Sequence, residues 1–104
     1  MVFIETPIFT RQVVEALTDE IYGLLQASLL ARPDAGDLIK GGGGIRKLRW
    51  ALPGRGKRGG VRVIYFWRVT ESQIMMLTMY AKNERANLTP AQVKQLAKLV
   101  EALK

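Results

Sequence analysis

The chain has 104 residues, a net charge of +7 and 48% hydrophobic residues, enough for one domain that buries roughly two-thirds of its unfolded surface. It contains neither cysteine nor histidine, which excludes disulfides and thiolate chemistry, leaves no basis for a zinc site and removes the commonest general base near neutral pH. Its apolar runs fall far short of the roughly 20 residues that span a bilayer, and with Glu5 early and no basic stretch before it the start does not read as a signal peptide, so a cytoplasmic protein away from membranes is expected.

Val2, Phe3 and Ile4, closed by Pro7, predict an opening strand. From about Thr10 the apolar residues recur at three- and four-residue steps: Val13, Val14, Leu17, Ile21, Leu24, Leu25 and Leu29. Thr18 followed by Asp19 and Glu20 marks a second helix start, with acids at the positive end of the dipole. Two consecutive helices ending near Ala31, before Pro33, are expected. Asp34 to Gly44 reads as loop, because the four glycines Gly41 to Gly44 suit a flexible connection better than a helix or strand.

Three strands follow. In Ile45 to Leu52 the faces are Arg46, Leu48, Trp50, Leu52 and Ile45, Lys47, Arg49, Ala51. In Val61 to Val69 they are Val61, Val63, Tyr65, Trp67, Val69 and Arg62, Ile64, Phe66, Arg68. In Gln73 to Lys82 they are Met75, Leu77, Met79, Ala81 and Ile74, Met76, Thr78, Tyr80, Lys82. If the greasier faces meet the helices, Lys47, Arg49, Arg62, Tyr80 and Lys82 share an open face. Pro53 to Gly60 is a long basic hairpin loop and Thr70 to Ser72 a tight one. A last helix opens with Thr89 as cap, Pro90 at its first position and Gln92 completing a capping box, followed by the stripe Val93, Leu96, Val100, Leu103. Helices before and after antiparallel strands predict an α+β domain over residues 1–104.

Between Asp37 and Glu71 the chain carries nine cations and no acid: Lys40, Arg46, Lys47, Arg49, Arg55, Lys57, Arg58, Arg62 and Arg68. Such a field attracts polyanions, and the interleaved Trp50, Tyr65, Phe66 and Trp67 offer faces for unstacked bases. A solvated basic surface is the plainer alternative. Neither GGGGIRK nor GRGKRGG has the spacing of a nucleotide-binding loop. Lys47, Arg49, Arg62 and Lys82 stand out because three strands supply them. RNA cleavage needs a group to take the 2′-OH proton, a group to stabilise the phosphorane and a group to protonate the leaving oxygen. Arginine performs only the second task. Lysine performs the others where burial and neighbouring cations lower its pKa, and tyrosine or glutamate are further proton carriers. A binding groove without chemistry remains the alternative.

The run GDLIKGGGGIRKLRWALPGRGKRGGVRVIYFW, continuing to LTMYAKNERANLT, resembles the RelE/HigB family of bacterial type II toxins, most specifically in GGVRVIYFW and YAKNERANLT. The resemblance implies two leading helices and a closing one, packed on one face of a twisted antiparallel sheet of about four strands. It also implies a metal-independent, ribosome-dependent endoribonuclease that cuts mRNA in the A site, uses no cofactor and is silenced by an antitoxin. The expected partners are a helix-turn-helix antitoxin, the ribosome and mRNA, and operator DNA through the antitoxin complex. Arg62 falls on the family's phosphate-contacting arginine. Lys47 and Arg49 fall on an alternating basic pair that is lysine–lysine in RelE-type members, where one lysine is implicated in proton transfer. Lys82, Glu84 and Arg85 match the K-x-E-R segment.

Two positions depart from that pattern: Asn83 replaces an arginine and Thr89 a tyrosine, both catalytic in RelE-type members, so the family's proton-transfer scheme does not carry over unchanged. The expected catalytic set is Lys47, Arg49, Arg62 and Lys82. The expected RNA-contacting set is Arg46, Arg55, Lys57, Arg58, Tyr80, Glu84 and Arg85. The same fold also hosts toxins that inhibit gyrase, so a non-catalytic toxin with a protein target and a basic RNA-binding module stay as alternatives.

Overall fold

The computed structural model describes residues 1–52, 60–85 and 87–104. Strand β1 (Val2–Glu5) leads directly into helix α1 (Pro7–Ala16). Thr6 makes the junction: its Oγ1 accepts from Phe9 N at 3.0 Å as the helix cap and donates to Leu77 O at 2.7 Å. Pro7 occupies the first helical turn, where its missing N–H costs nothing. The helix therefore starts three residues before the apolar periodicity becomes visible in the sequence. Thr18 caps helix α2 (Asp19–Ala31) by accepting from Ile21 N at 3.2 Å, with Asp19 and Glu20 in the first turn.

The remaining elements are β2 (Asp37–Leu38), β3 (Arg46–Trp50), β4 (Val61–Arg68), β5 (Gln73–Ala81) and α3 (Pro90–Glu101). They build a five-stranded sheet in the order β1-β5-β4-β3-β2. β1 runs parallel to β5 and every other pair is antiparallel. The α+β class holds, with the expected opening strand β1 at one edge of the three long strands and one further short strand, β2, at the other. β2 lies inside the segment expected to be loop. The glycines after it form a defined turn: Gly41, Gly43 and Gly44 have φ of 76°, 72° and 113°, and Gly42 N donates to Ile39 O at 3.0 Å. A side chain is strained at such φ values, which is why glycine recurs here.

Two hydrophobic layers cover the sheet. On one face Phe9, Val13 and Leu17 of α1 and its C-cap, with Leu25 and Leu29 of α2, pack on Val61, Val63, Tyr65, Ile74, Met76 and Met79. Burying each of these side chains contributes about 1.5–3 kcal/mol. The other layer joins Val100 of α3 to Ile45, Ile64, Phe66, Leu77 and Tyr80, with Leu88, Leu96 and Met75 at its margin. The closing helix thus lies on the face opposite α1 and α2, not beside them as the resemblance implied. Its start is as the sequence signals: Thr89 Oγ1 accepts from Gln92 N at 3.2 Å, and Gln92 Oε1 accepts from Thr89 N at 2.9 Å.

β5 breaks its own alternation. Ile64 pairs with Thr78 but Tyr65 pairs with Met76, so Leu77 is one residue too many. Such a bulge turns one half of a strand over relative to the other. Ile74 and Met76 share a core with Met79, while Met75 and Leu77 join Tyr80 on the α3 side. The expected grouping of Met75 and Leu77 with Met79 and Ala81 is corrected accordingly. Beyond the bulge β1 has ended, and α1 takes over the exposed flank of β5. Gln12 Oε1 accepts from Met79 N at 2.9 Å and from Thr78 Oγ1 at 3.1 Å.

Candidate functional site

Because β3 and β4 pair without interruption, Arg49 lies directly opposite Arg62, and Arg62 directly opposite Tyr80. Opposed residues on neighbouring strands have Cβ atoms about 4.5–5.5 Å apart, so the three form a row across the sheet. Lys47 stands two residues from Arg49 on the same face, and Lys82 follows two residues after Tyr80. Two arginines in opposed positions oppose stability; a fold selected for stability alone has no reason to place them so.

Arg62 is the buried member, only 9% exposed. The ion pairs among the described residues are Arg32–Asp34 and Glu101–Lys104, so no carboxylate neutralises Arg49, Arg62, Lys47 or Lys82 there. Withdrawing a guanidinium from water costs several kcal/mol when nothing compensates, and arginine keeps its charge at every working pH. Lys47 is anchored: its Nζ donates to Asn87 Oδ1 at 2.9 Å. That bond ties β3 to the segment between β5 and α3. Asn87 was not among the residues singled out from sequence, and no spacing signal marks it.

Tyr80 is 7% exposed and its buried hydroxyl has no hydrogen-bond partner among the described residues, at a cost of about 1–3 kcal/mol for a hydroxyl left unsatisfied. Burial raises its pKa above the ordinary tyrosine value, and the cations Arg62 and Arg85 offset part of that rise. After β5 the chain turns back on itself, with Glu84 N and Arg85 N both donating to Ala81 O. This brings the Arg85 guanidinium to 5.7 Å from the Tyr80 ring centroid, close enough for a cation–π attraction. Glu84 and Arg85 are exposed there, as is Lys82. A cleft of about 310 Å³ beside them is lined by Tyr80, Thr78, Gln12, Glu84, Arg85 and Gln92, among others.

The other expected residues lie apart or outside the described segment. Arg46 is on the face of Leu48 and Trp50, and its Nη1 donates to Gly36 O at 2.8 Å and Asp34 O at 3.2 Å. It fastens the loop before β2 and does not join the cationic row. Arg55, Lys57 and Arg58, with the Pro53–Gly60 hairpin loop, fall outside the described residues apart from Gly60, whose carbonyl accepts from Lys82 N at 3.1 Å. Of the two departures from the family pattern, Thr89 is spent on capping α3. Asn83 lines a cleft of about 200 Å³ with Glu15, Leu52 and Glu84.

The structure is similar to that of a double-arginine mutant of the E. coli toxin RelE in the free state, with a TM-score of 0.60 and 13% identity over 95% of each chain. At that identity the likeness speaks for the fold. The family model described as the RelE toxin of the RelE/RelB toxin–antitoxin system matches residues 8–104, from the first turn of α1 to the last residue, and the chain belongs to the RelE toxin family.

Proposed function

We propose that this chain is a ribosome-dependent endoribonuclease that cleaves mRNA in the A site and thereby stops translation. The observation that carries the reading is the row formed by Arg49 and the largely buried Arg62, which have no ion-pair partner among the described residues and which an incoming anion would relieve. Arg62 and Arg49 hold the scissile phosphate and the charge that builds on it in the phosphorane. Lys47 and Lys82 share proton transfer and charge stabilisation at the 2′-OH and the leaving 5′-oxygen. Glu84 and Arg85 border the path of the RNA, and Arg55, Lys57 and Arg58 grip ribosomal RNA through phosphate contacts.

The scheme calls on no metal or cofactor, since its charge stabilisation comes from guanidinium groups. Much of the catalytic gain is left to positioning by the ribosome, because the arginine and tyrosine of RelE-type members are absent at Asn83 and Thr89. The partners that go with this reading are the ribosome, mRNA and a helix-turn-helix antitoxin that also carries the pair to operator DNA, all in the cytoplasm. Inducing the protein in cells and mapping new mRNA ends, with and without translation of the reporter, tests it. New ends confined to translated messages support the reading; their absence from a growth-arrested culture favours a non-catalytic toxin instead.

A further inference from the structure

The chain has three tyrosines, and the fold finds partners for two of them. Tyr22 OH donates to Glu5 Oε2 at 2.6 Å. Tyr65 OH donates to Pro33 O at 2.7 Å and accepts from Gly36 N at 2.9 Å. Tyr80 is the exception, buried to the same degree as core residues yet with an idle hydroxyl. Its neighbours explain why. Arg62 lies beside it in the sheet and Arg85 over its ring, and guanidinium groups carry donors and no acceptor. Among the described residues the phenol hydrogen bonds to nothing, which leaves it to an acceptor that arrives from outside. Glu84 lines the same cleft, but it is exposed and makes no hydrogen bond to the hydroxyl.

We propose that the Tyr80 hydroxyl is a substrate-binding donor, completing with Arg62 a two-point grip on a non-bridging phosphate oxygen of RNA. The assignment rests on the nuclease reading for its substrate. Burial keeps the hydroxyl protonated, which suits it to donate and removes it from the list of general bases. Arg85, exposed and resting on the ring, swings aside to let the phosphate reach the hydroxyl and then faces the same anion. The phosphate thereby receives charge from the arginines and direction from a rigid phenol that has little rotamer freedom to lose.

Tyr80→Phe removes one oxygen and leaves the packing intact. We expect its melting temperature to equal or exceed that of the parent, because an unsatisfied polar atom has gone. On ribosome-bound mRNA its single-turnover rate should fall about a hundredfold, the scale on which preorganised donors act. Sulfur in place of a non-bridging oxygen at the scissile phosphate should slow the parent more than the variant. An uncleavable 2′-O-methyl oligonucleotide should bind the variant more weakly. Unchanged rate and unchanged affinity would overturn the proposal, and so would a lowered melting temperature, which would give the hydroxyl a structural partner. A parent protein that binds the oligonucleotide better than the variant does, yet cuts nothing, would sink the nuclease reading and keep Tyr80 as a phosphate contact. A parent with neither binding nor cleavage would sink both.

Discussion

Arg49 and Arg62 face one another across adjacent antiparallel strands, and among the described residues no acid stands between or beside them in an ion pair. Like charges in this relationship destabilise a sheet by about 0.2–1 kcal/mol. The position makes physical sense as a socket for a polyanion and leads to opposite expectations for stability and activity. Arg62→Met, which keeps the apolar stem and removes the charge, should raise the urea midpoint. Arg62→Ala should abolish growth arrest, with a barrier increase of about 2.7–4 kcal/mol if one transition-state contact is lost. Full toxicity from a folded Arg62→Ala protein would remove this residue from the site.

Lys47 gives a graded test. Asn87 holds its ammonium group at 2.9 Å, so Asn87→Ala should free the lysine without discharging it. Cleavage by Asn87→Ala should fall by less than cleavage by Lys47→Ala, and the double variant should be no worse than Lys47→Ala alone. Additive losses in single-turnover assays would mean that the two side chains act separately.

Alkaline stability follows from the tyrosines. Tyr22 has its pKa pushed up by burial first and by its bond to the Glu5 carboxylate second, with a smaller opposing contribution from Gln26. Tyr65 is raised as well, again chiefly by burial. A group whose folded-state pKa exceeds its unfolded value, about 10 for tyrosine, stabilises fully below that value and loses its contribution as pH rises through the folded pKa. Urea midpoints should therefore fall from about pH 10 upward. Tyr22→Phe should show a shallower decline; an identical decline would exclude Tyr22 as a cause.

Gly36 packs tightly against β3 and β4 behind the cationic face. A Cβ built there would meet Tyr65 Cε1 at 2.9 Å, Tyr65 OH at 3.0 Å and the Lys47 backbone carbon at 3.1 Å. Gly36→Ala must push the Tyr65 ring off the two hydrogen bonds that fix it. The expected cost is about 1–3 kcal/mol, the range for overpacking, read as a lower thermal midpoint. Because β3 carries both Lys47 and Arg49, cleavage should weaken too.

The start of α3 was legible because Thr89, Pro90 and Gln92 are local signals whose bonds are made within one turn. The common face of Lys47, Arg49 and Arg62 was legible because the strands bearing them alternate strictly and pair in register. β5 was not. Its stretch from Ile74 to Leu77 is apolar at every position, so no polar residue reveals where the alternation slips at Leu77. The side of the sheet taken by α3 is hidden for a related reason, since β4 is apolar on both faces over Val63 to Phe66 and either face could receive a helix. Arg46 shows the limit for single side chains: its charge is visible in the sequence, while its bonds to the carbonyls of Asp34 and Gly36, close in space, are not. Asn87 acts through one long-range bond, and such bonds leave no periodic trace.

Gln12 has a consequence for how copies of this molecule behave toward one another. On the flank of β5 that β1 covers up to Met76, no strand among the described residues pairs with the half beyond it, and bare strand flanks invite sheet extension by a neighbouring chain. The Gln12 amide oxygen occupies Met79 N, and the Thr6 hydroxyl occupies Leu77 O, so two of the groups a guest strand needs are already engaged by α1 and its cap. A second copy of the chain thus meets a flank whose hydrogen-bonding groups at Leu77 and Met79 are already taken.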